Sequence, residues 1–200
     1  MENEHNKTLV ANISEIPRQK ILDSKTPLIP LEVLSERLKV NLWMKRDELA
    51  GPTFGGNKAR QLEYYLGAAL AQNADTILIT GAIQSNFVRL AAACAARFGM
   101  KPIVQLEHRV AKSDMTYQQS GNVLLNQIIG AEILYYPEGE DEDGADAVLY
   151  EKAEELVKQG RNPYVIPLSQ HKPPLGALGY VRCAAEIVSQ QISQFDYVVV

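Results

Sequence analysis

Thr76-Ile77-Leu78-Ile79-Thr80-Gly81-Ala82-Ile83-Gln84-Ser85-Asn86 is the stretch that decides the fold. Its first five residues are apolar or β-branched and lack polar alternation, which marks a strand buried on both faces. Gly81 ends the run. From Asn86 to Phe98 the spacing turns helical, and Gly99 follows as a natural left-handed cap. A buried strand feeding a helix is the repeating unit of a parallel sheet. The pattern recurs towards the C-terminus: strand Pro102 to Leu106, helix Tyr117 to Ile129, strand Glu132 to Tyr136, helix Gly144 to Gln159. Strand Tyr164 to Ile166, helix Gly176 to Gln191 and strand Phe195 to Val200 complete it. Towards the N-terminus, Asn57 to Gln72 is helical with Leu62, Tyr65, Leu66 and Ala69 on one stripe. Leu42 to Lys45 is a short strand, and Leu31 to Leu38 has a helical period. Residues 1–30, punctuated by Pro17, Pro27 and Pro30, read as an arm with at most one helical turn.

Composition agrees with an ordinary α/β chain. The 200 residues are 46% hydrophobic and 22% charged, enough apolar material for a sizeable core. A net charge of -4 offers no basic face for nucleic acid. No apolar run approaches the roughly 20 residues needed to span a bilayer, and Met1 to Lys7 lacks an apolar signal core. Cys94 and Cys183 sit in Ala-rich helical stretches without CxxC or metal-ligand spacing, so buried thiols in a reducing cytoplasm are expected. His5, His108 and His171 are scattered. The acidic run Glu138 to Asp143 has no EF-hand spacing and reads as a solvated loop leading into a helix.

Two loops carry chemical signal. In Phe54-Gly55-Gly56-Asn57-Lys58-Ala59-Arg60 the glycines permit tight backbone geometry and Asn57 is an N-cap candidate. Lys58 then falls in the first helical turn, where the dipole disfavours a cation and favours the neutral amine that attacks an aldehyde. The plainer alternative is a solvated lysine at a helix start. In Gly81 to Asn86, helix-start N–H groups, the Ser85 hydroxyl and the Asn86 amide suit a substrate carboxylate. Taken alone, Ser85 reads as a simple N-cap. The glycines of Leu175-Gly176-Ala177-Leu178-Gly179-Tyr180 fit close packing, a ligand's approach or, equally, a simple turn.

Together, Lys45-Arg46-Asp47-Glu48, Gly55-Gly56-Asn57-Lys58-Ala59-Arg60-Gln61-Leu62-Glu63 and Gly81 to Asn86 resemble the D-cysteine desulfhydrase and 1-aminocyclopropane-1-carboxylate deaminase family. The likeness continues through Gly121-Asn122, Gly130-Ala131-Glu132 and Leu175 to Tyr180. It implies a pyridoxal 5'-phosphate enzyme of the tryptophan synthase β-like α/β fold (fold type II), with two parallel-sheet domains. Residues 57–167 would be the small domain; 1–56 and 168–200 would belong to a larger, incomplete one. Lys58 matches the lysine that forms the Schiff base with the cofactor. Asn57 matches a polar residue near the cofactor, and Asn86 the asparagine that bonds the pyridoxal 3'-oxygen. Ser85 matches a carboxylate-binding serine that is the nucleophile in cyclopropane-opening members, and Gln84 shares its substrate-binding loop.

The resemblance implies α,β-elimination from D-cysteine to pyruvate, ammonia and sulfide, or deamination of 1-aminocyclopropane-1-carboxylate, by a cytoplasmic homodimer. Phe87 departs from the family, standing where desulfhydrases tend to have His and deaminases Gln. Ser169-Gln170-His171-Lys172 replaces a usual Gly-Gly-Ser stretch. The family's phosphate-binding loop would begin just after Val200, so a non-catalytic chain that binds a partner is the alternative expectation.

Overall fold

The computed structural model describes residues 13–52, 55–112, 114–169, 171–190 and 195–200. The N-terminal arm up to residue 12, Phe54, Gln170 and the helix end at Gln191 lie outside them.

A four-stranded parallel sheet forms the centre, in the order β5-β4-β3-β6. The strands are β3 (Thr76–Ala82), β4 (Lys101–Glu107), β5 (Glu132–Tyr136) and β6 (Pro163–Ile166). In the register Leu78 lies opposite Ile103 on β4 and Val165 on β6. The chain runs outward from β3 to β4 to β5, then returns to place β6 on the other side of β3. The outward crossovers, α3 (Asn86–Arg97) and then α4 (Met115–Gln119) with α5 (Gly121–Ile129), pack together. The return crossover, α6 (Glu142–Lys158), packs against β6, β3 and β4. Reversing direction while keeping right-handed crossovers sends the return helix to the opposite face.

The core follows this division. Ile77 and Ile79 of β3 join Val88, Leu90, Val104 and Leu106 in one buried cluster. Leu78 joins Ile103, Leu149, Leu156 and Val165 in another. Successive β3 side chains thus enter different cores, which is why the strand is apolar throughout rather than alternating.

Outside the sheet, β1 (Leu28–Pro30) pairs antiparallel with β2 (Trp43–Lys45) around α1 (Glu32–Leu38). The strand at 28–30 was hidden by its prolines, which suit an edge. Helix α2 (Asn57–Ala71) packs on α7 (Leu178–Gln190) and on the 3-10 turn Leu175–Ala177. At that contact a Cβ on Gly176 would lie 2.8 Å from the Tyr65 ring, and one on Gly179 would fall on the Arg60 carbonyl. Close packing accounts for both glycines.

Three sequence expectations are corrected. The helix expected over Tyr117 to Ile129 is broken: Ser120 is extended and Gly121 has φ +58°, separating α4 from α5. The Gln84 amide takes up carbonyls freed by the break, donating to Tyr117 O at 2.6 Å and Ser120 O at 3.0 Å. The N-cap of α2 is Gly56, not Asn57; at φ +96° Gly56 turns the chain so that Asn57 is already helical. Phe195 to Val200 forms no strand, since no described strand lies beside it to pair with; Tyr197 to Val200 are exposed. Phe195 instead places its ring 6.4 Å from that of Trp43.

Candidate active site

In open α/β sheets the crevice lies at the carboxyl ends of the strands, where neighbouring crossovers diverge. Here β3 is that strand, flanked by β4 and β6, and its carboxyl end runs directly into Gly81 to Asn86. Ser85 is the N-cap of α3: its Oγ accepts from Val88 N at 3.3 Å. Ser85 as a residue is half-buried. Asn86, the first residue of α3, is exposed.

Lys58 reaches this loop from α2. Its Nζ lies 5.4 Å from the centroid of the Phe87 ring, in the first turn of α3. Lys58 is half-buried and Phe87 is buried. The Phe87 ring meets Tyr65 of α2 at 6.4 Å, tilted by 52°. Burial pushes the Tyr65 hydroxyl's pKa up, partly opposed by a backbone bond at Gly176. The two loops that stand apart in sequence therefore meet at one place, with an aromatic wall between helices. Asn57 beside Lys58 is exposed.

Gln84 faces inward. Its Nε2 holds the carbonyls of Tyr117 and Ser120, and its Oε1 accepts from Asn122 N at 2.9 Å. Asn122 donates from Nδ2 to Gln84 O at 2.7 Å and to Asn86 Oδ1 at 3.0 Å. Arg89, buried one turn into α3, donates from Nε to Asn122 Oδ1 at 2.9 Å. Burial lowers its pKa from the usual guanidinium value. Sequence reasoning assigned no role to Asn122, Arg89 or Tyr65. The signal for Arg89 was available: a cation at i+3 from Asn86, set inside the otherwise apolar run from Phe87 to Ala96.

A second polar system braces the back of Lys58. Arg60, at 3% exposure, donates from Nε and Nη2 to the two oxygens of Asp47, both at 2.8 Å. Its Nη1 meets Glu186 Oε2 on α7 at 2.8 Å, and Nη2 also donates to Thr26 Oγ1 at 2.9 Å. Lys45 completes the cluster at 2.7 Å from Glu186 Oε1. Burial would raise the Asp47 and Glu186 carboxyls; the bonds from Arg60, with Thr26 or Lys45, outweigh it and hold both below their ordinary values. Glu63 on the same helix accepts from Ile21 N at 2.8 Å, Leu22 N at 3.0 Å and Arg18 Nε at 2.7 Å. The motif residues Lys45, Asp47, Arg60 and Glu63 thus set the position of α2, and so of Lys58.

A separate concavity of about 240 Å³ is lined by Glu140, Asp141, Glu142, Asp143 and His171. Its carboxylates repel a phosphorylated anion, and it contains none of Lys58, Ser85 or Asn86. Asp141 there caps α6, accepting from Gly144 N at 3.1 Å. Among the described residues no helix is long and apolar enough to cross a membrane, and none group to hold a metal ion.

The residues present suit a carbonyl-bearing cofactor. An amine stands beside an aromatic ring, and an exposed amide and a hydroxyl stand at the adjoining helix start. Comparison with known proteins agrees. The chain is 42% identical over 196 residues to a 1-aminocyclopropane-1-carboxylate deaminase of Burkholderia multivorans, covering 94% of this chain. It spans 57% of that relative's length. A crystal structure of an ACC deaminase homologue superposes with a TM-score of 0.82 at 36% identity, over 94% of this chain and 55% of that one. A diaminopropionate ammonia lyase of Escherichia coli shares the fold, at TM-score 0.60 and 17% identity, over 94% of this chain and 53% of that one. These neighbours place the α/β architecture among the type II folds of pyridoxal-phosphate enzymes. The family profile described as pyridoxal-phosphate dependent enzyme matches residues 21–200, and the chain belongs to that family.

Proposed function

We infer that this chain forms the Lys58 side of a pyridoxal 5'-phosphate site that deaminates a small amino acid. The observation that carries the reading is the meeting of Lys58 Nζ with the first turn of α3, 5.4 Å from the Phe87 ring. The cofactor, when bound, supplies an electron sink for negative charge at the substrate α-carbon. Lys58 Nζ would hold the cofactor at its aldehyde carbon, and once freed by the substrate's own amine it would take up and return a proton at the substrate. Asn86 Nδ2 donates to the ring 3'-oxygen, with Asn57 alongside. Ser85 Oγ and the first N–H groups of α3 hold the substrate carboxylate, and Gln84 shapes that loop from behind.

The domain division places residues 57–167 in a small domain, with 1–56 and 168–200 in a larger one. The protein works as a cytoplasmic homodimer. For the substrate, 1-aminocyclopropane-1-carboxylate stands first, because the 42%-identical relative carries that name. D-Cysteine is the second reading. The Phe87 ring gives no hydrogen bond to a substrate but makes favourable contact with sulfur, and a thiolate leaves without assistance from a donor.

The test is incubation with pyridoxal 5'-phosphate, borohydride reduction and peptide mapping, followed by keto-acid release from both substrates. A pyridoxyl group is expected on Lys58 in the native chain. Labelling spread over surface lysines, unchanged in Lys58→Ala, would refute the reading. Specific labelling without turnover of either substrate would favour a chain that needs a partner.

A further inference from the structure

Asn122 and Arg89 have no part in the roles above, yet together they decide which edge of the Asn86 amide faces outward. The Gln84 carbonyl can only accept, so the Asn122 atom 2.7 Å from it is Nδ2. The Arg89 guanidinium can only donate, so the Asn122 atom 2.9 Å from its Nε is Oδ1. The two constraints agree and leave Asn122 one orientation. The second hydrogen of Asn122 Nδ2 meets Asn86 at 3.0 Å, and Arg89 Nη2 approaches the same Asn86 atom at 3.4 Å. Two donors converge there, so that atom is Oδ1. Turning the Asn86 amide over would set donor against donor at a buried guanidinium.

Asn86 Nδ2 therefore occupies the other edge, at an exposed position, with no acceptor among the described residues. Asn122 is itself held in place. Its backbone N–H donates to Gln84 Oε1, and Gly121 before it takes φ +58°. A Cβ on Gly121 would lie 2.6 Å from that same Gln84 oxygen. The break between α4 and α5 is what brings Asn122 under the loop.

We propose that Arg89 and Asn122 are positioning residues that lock the Asn86 amide with its N–H edge outward, so that the site offers a donor to an anionic ring oxygen. The identity of that oxygen, the 3'-oxygen of pyridoxal phosphate, rests on the function proposed above; the locked amide does not.

Two measurements test this. In the cofactor-free chain, nitrogen-15 relaxation of the Asn86 side-chain amide reports its order. Asn122→Ala removes the lock, so the amide is expected to become mobile. Unchanged order in that variant overturns the proposal, whatever the cofactor does. The second measurement is titration with pyridoxal 5'-phosphate, followed by the visible absorbance of the bound form. Asn122→Asp keeps the shape and the Arg89 contact but presents an acceptor, which pulls Asn86 Nδ2 inward and turns its oxygen out. Its affinity is expected to fall roughly tenfold, and further than that of Asn122→Ala. An Asn122→Asp affinity equal to the native one, or above that of Asn122→Ala, overturns the proposal; because the aspartate also sets an oxygen against the Gln84 carbonyl, the two variants are compared at matched melting temperature, and an affinity loss that follows stability alone overturns it as well. If Asn86 becomes mobile but the native chain never labels on Lys58, the cofactor reading fails and the lock stands.

Discussion

Replacing Arg60 with leucine tests whether the buried ion cluster, rather than apolar packing alone, holds α2 in place. The side chain makes four donated bonds, to Asp47, Thr26 and Glu186, and its charge sits at 4% side-chain exposure. Removing one partner of a buried pair leaves an uncompensated charge and costs about 3–5 kcal/mol. Here the lower end applies, because Asp47 keeps the Thr26 hydroxyl at 2.7 Å and Glu186 keeps Lys45 at 2.7 Å. For a chain of this size about 3 kcal/mol corresponds to a fall in melting temperature of about 6–12 °C. The control is Lys101→Ala, which breaks the pair with Glu132 at 43% and 35% side-chain exposure. That exposed pair contributes at most about 1 kcal/mol. Thermal denaturation followed by circular dichroism near neutral pH compares the two. The sign with pH follows from Asp47 and Glu186, both held below their ordinary values of 3.8 and 4.5. A depressed carboxyl stabilises the fold above its unfolded value and ceases to do so as pH falls through its folded one. The gap between native protein and Arg60→Leu should therefore be full at neutral pH and narrow in acid, below those ordinary values. An Arg60→Leu melting temperature indistinguishable from that of Lys101→Ala, or a gap that widens in acid, would refute the reasoning.

Two further outcomes follow from backbone and thiol geometry. Gly55→Ala should destabilise more than Gly56→Ala, by urea denaturation. Both have positive φ, but a Cβ on Gly55 falls on the Glu48 carbonyl and lies 2.9 Å from Ala50 N, whereas one on Gly56 meets nothing within 4 Å. Equal losses would show that only the torsion matters. Burial pushes the Cys94 thiol up to about 11 and raises that of Cys183 as well. Neither should react with a disulfide reagent near neutral pH until denaturant is added, and rapid labelling of the native chain would contradict the buried positions.

The elements legible in the sequence are those whose cause is local. The β3 run, the Gly99 cap and the α2 stripe depend on residues within a turn or two of each other. The elements misread are those whose cause is remote. Nothing between Tyr117 and Ile129 announces the break at Ser120 except Gly121, because Gln84, more than thirty positions earlier, takes up the freed carbonyls. The strand at 28–30 exists because Trp43 to Lys45 lies beside it, and residues 195–200 have the pattern of a strand without a described neighbour.

The site divides along the same line. Lys58 draws attention in the sequence because its position contradicts helix electrostatics, a conflict that local structure alone does not explain. Ser85 reads in the sequence as a choice between cap and ligand; the structure shows the cap, its Oγ accepting from Val88 N in a half-buried residue. Arg60 and Glu63 lie beside Lys58 in sequence and belong to its motif, yet their bonds run to Asp47, Glu186 and the segment around Ile21. A motif dense in charged residues thus mixes two kinds of position, one reaching the start of α3 and the other fixing the helix that carries it. Which is which depends on partners brought from elsewhere in the chain. Asn122 makes the point most sharply: part of the motif Gly121-Asn122 but without a role in the sequence reading, it becomes informative once Arg89 and the Gln84 carbonyl fix its two edges.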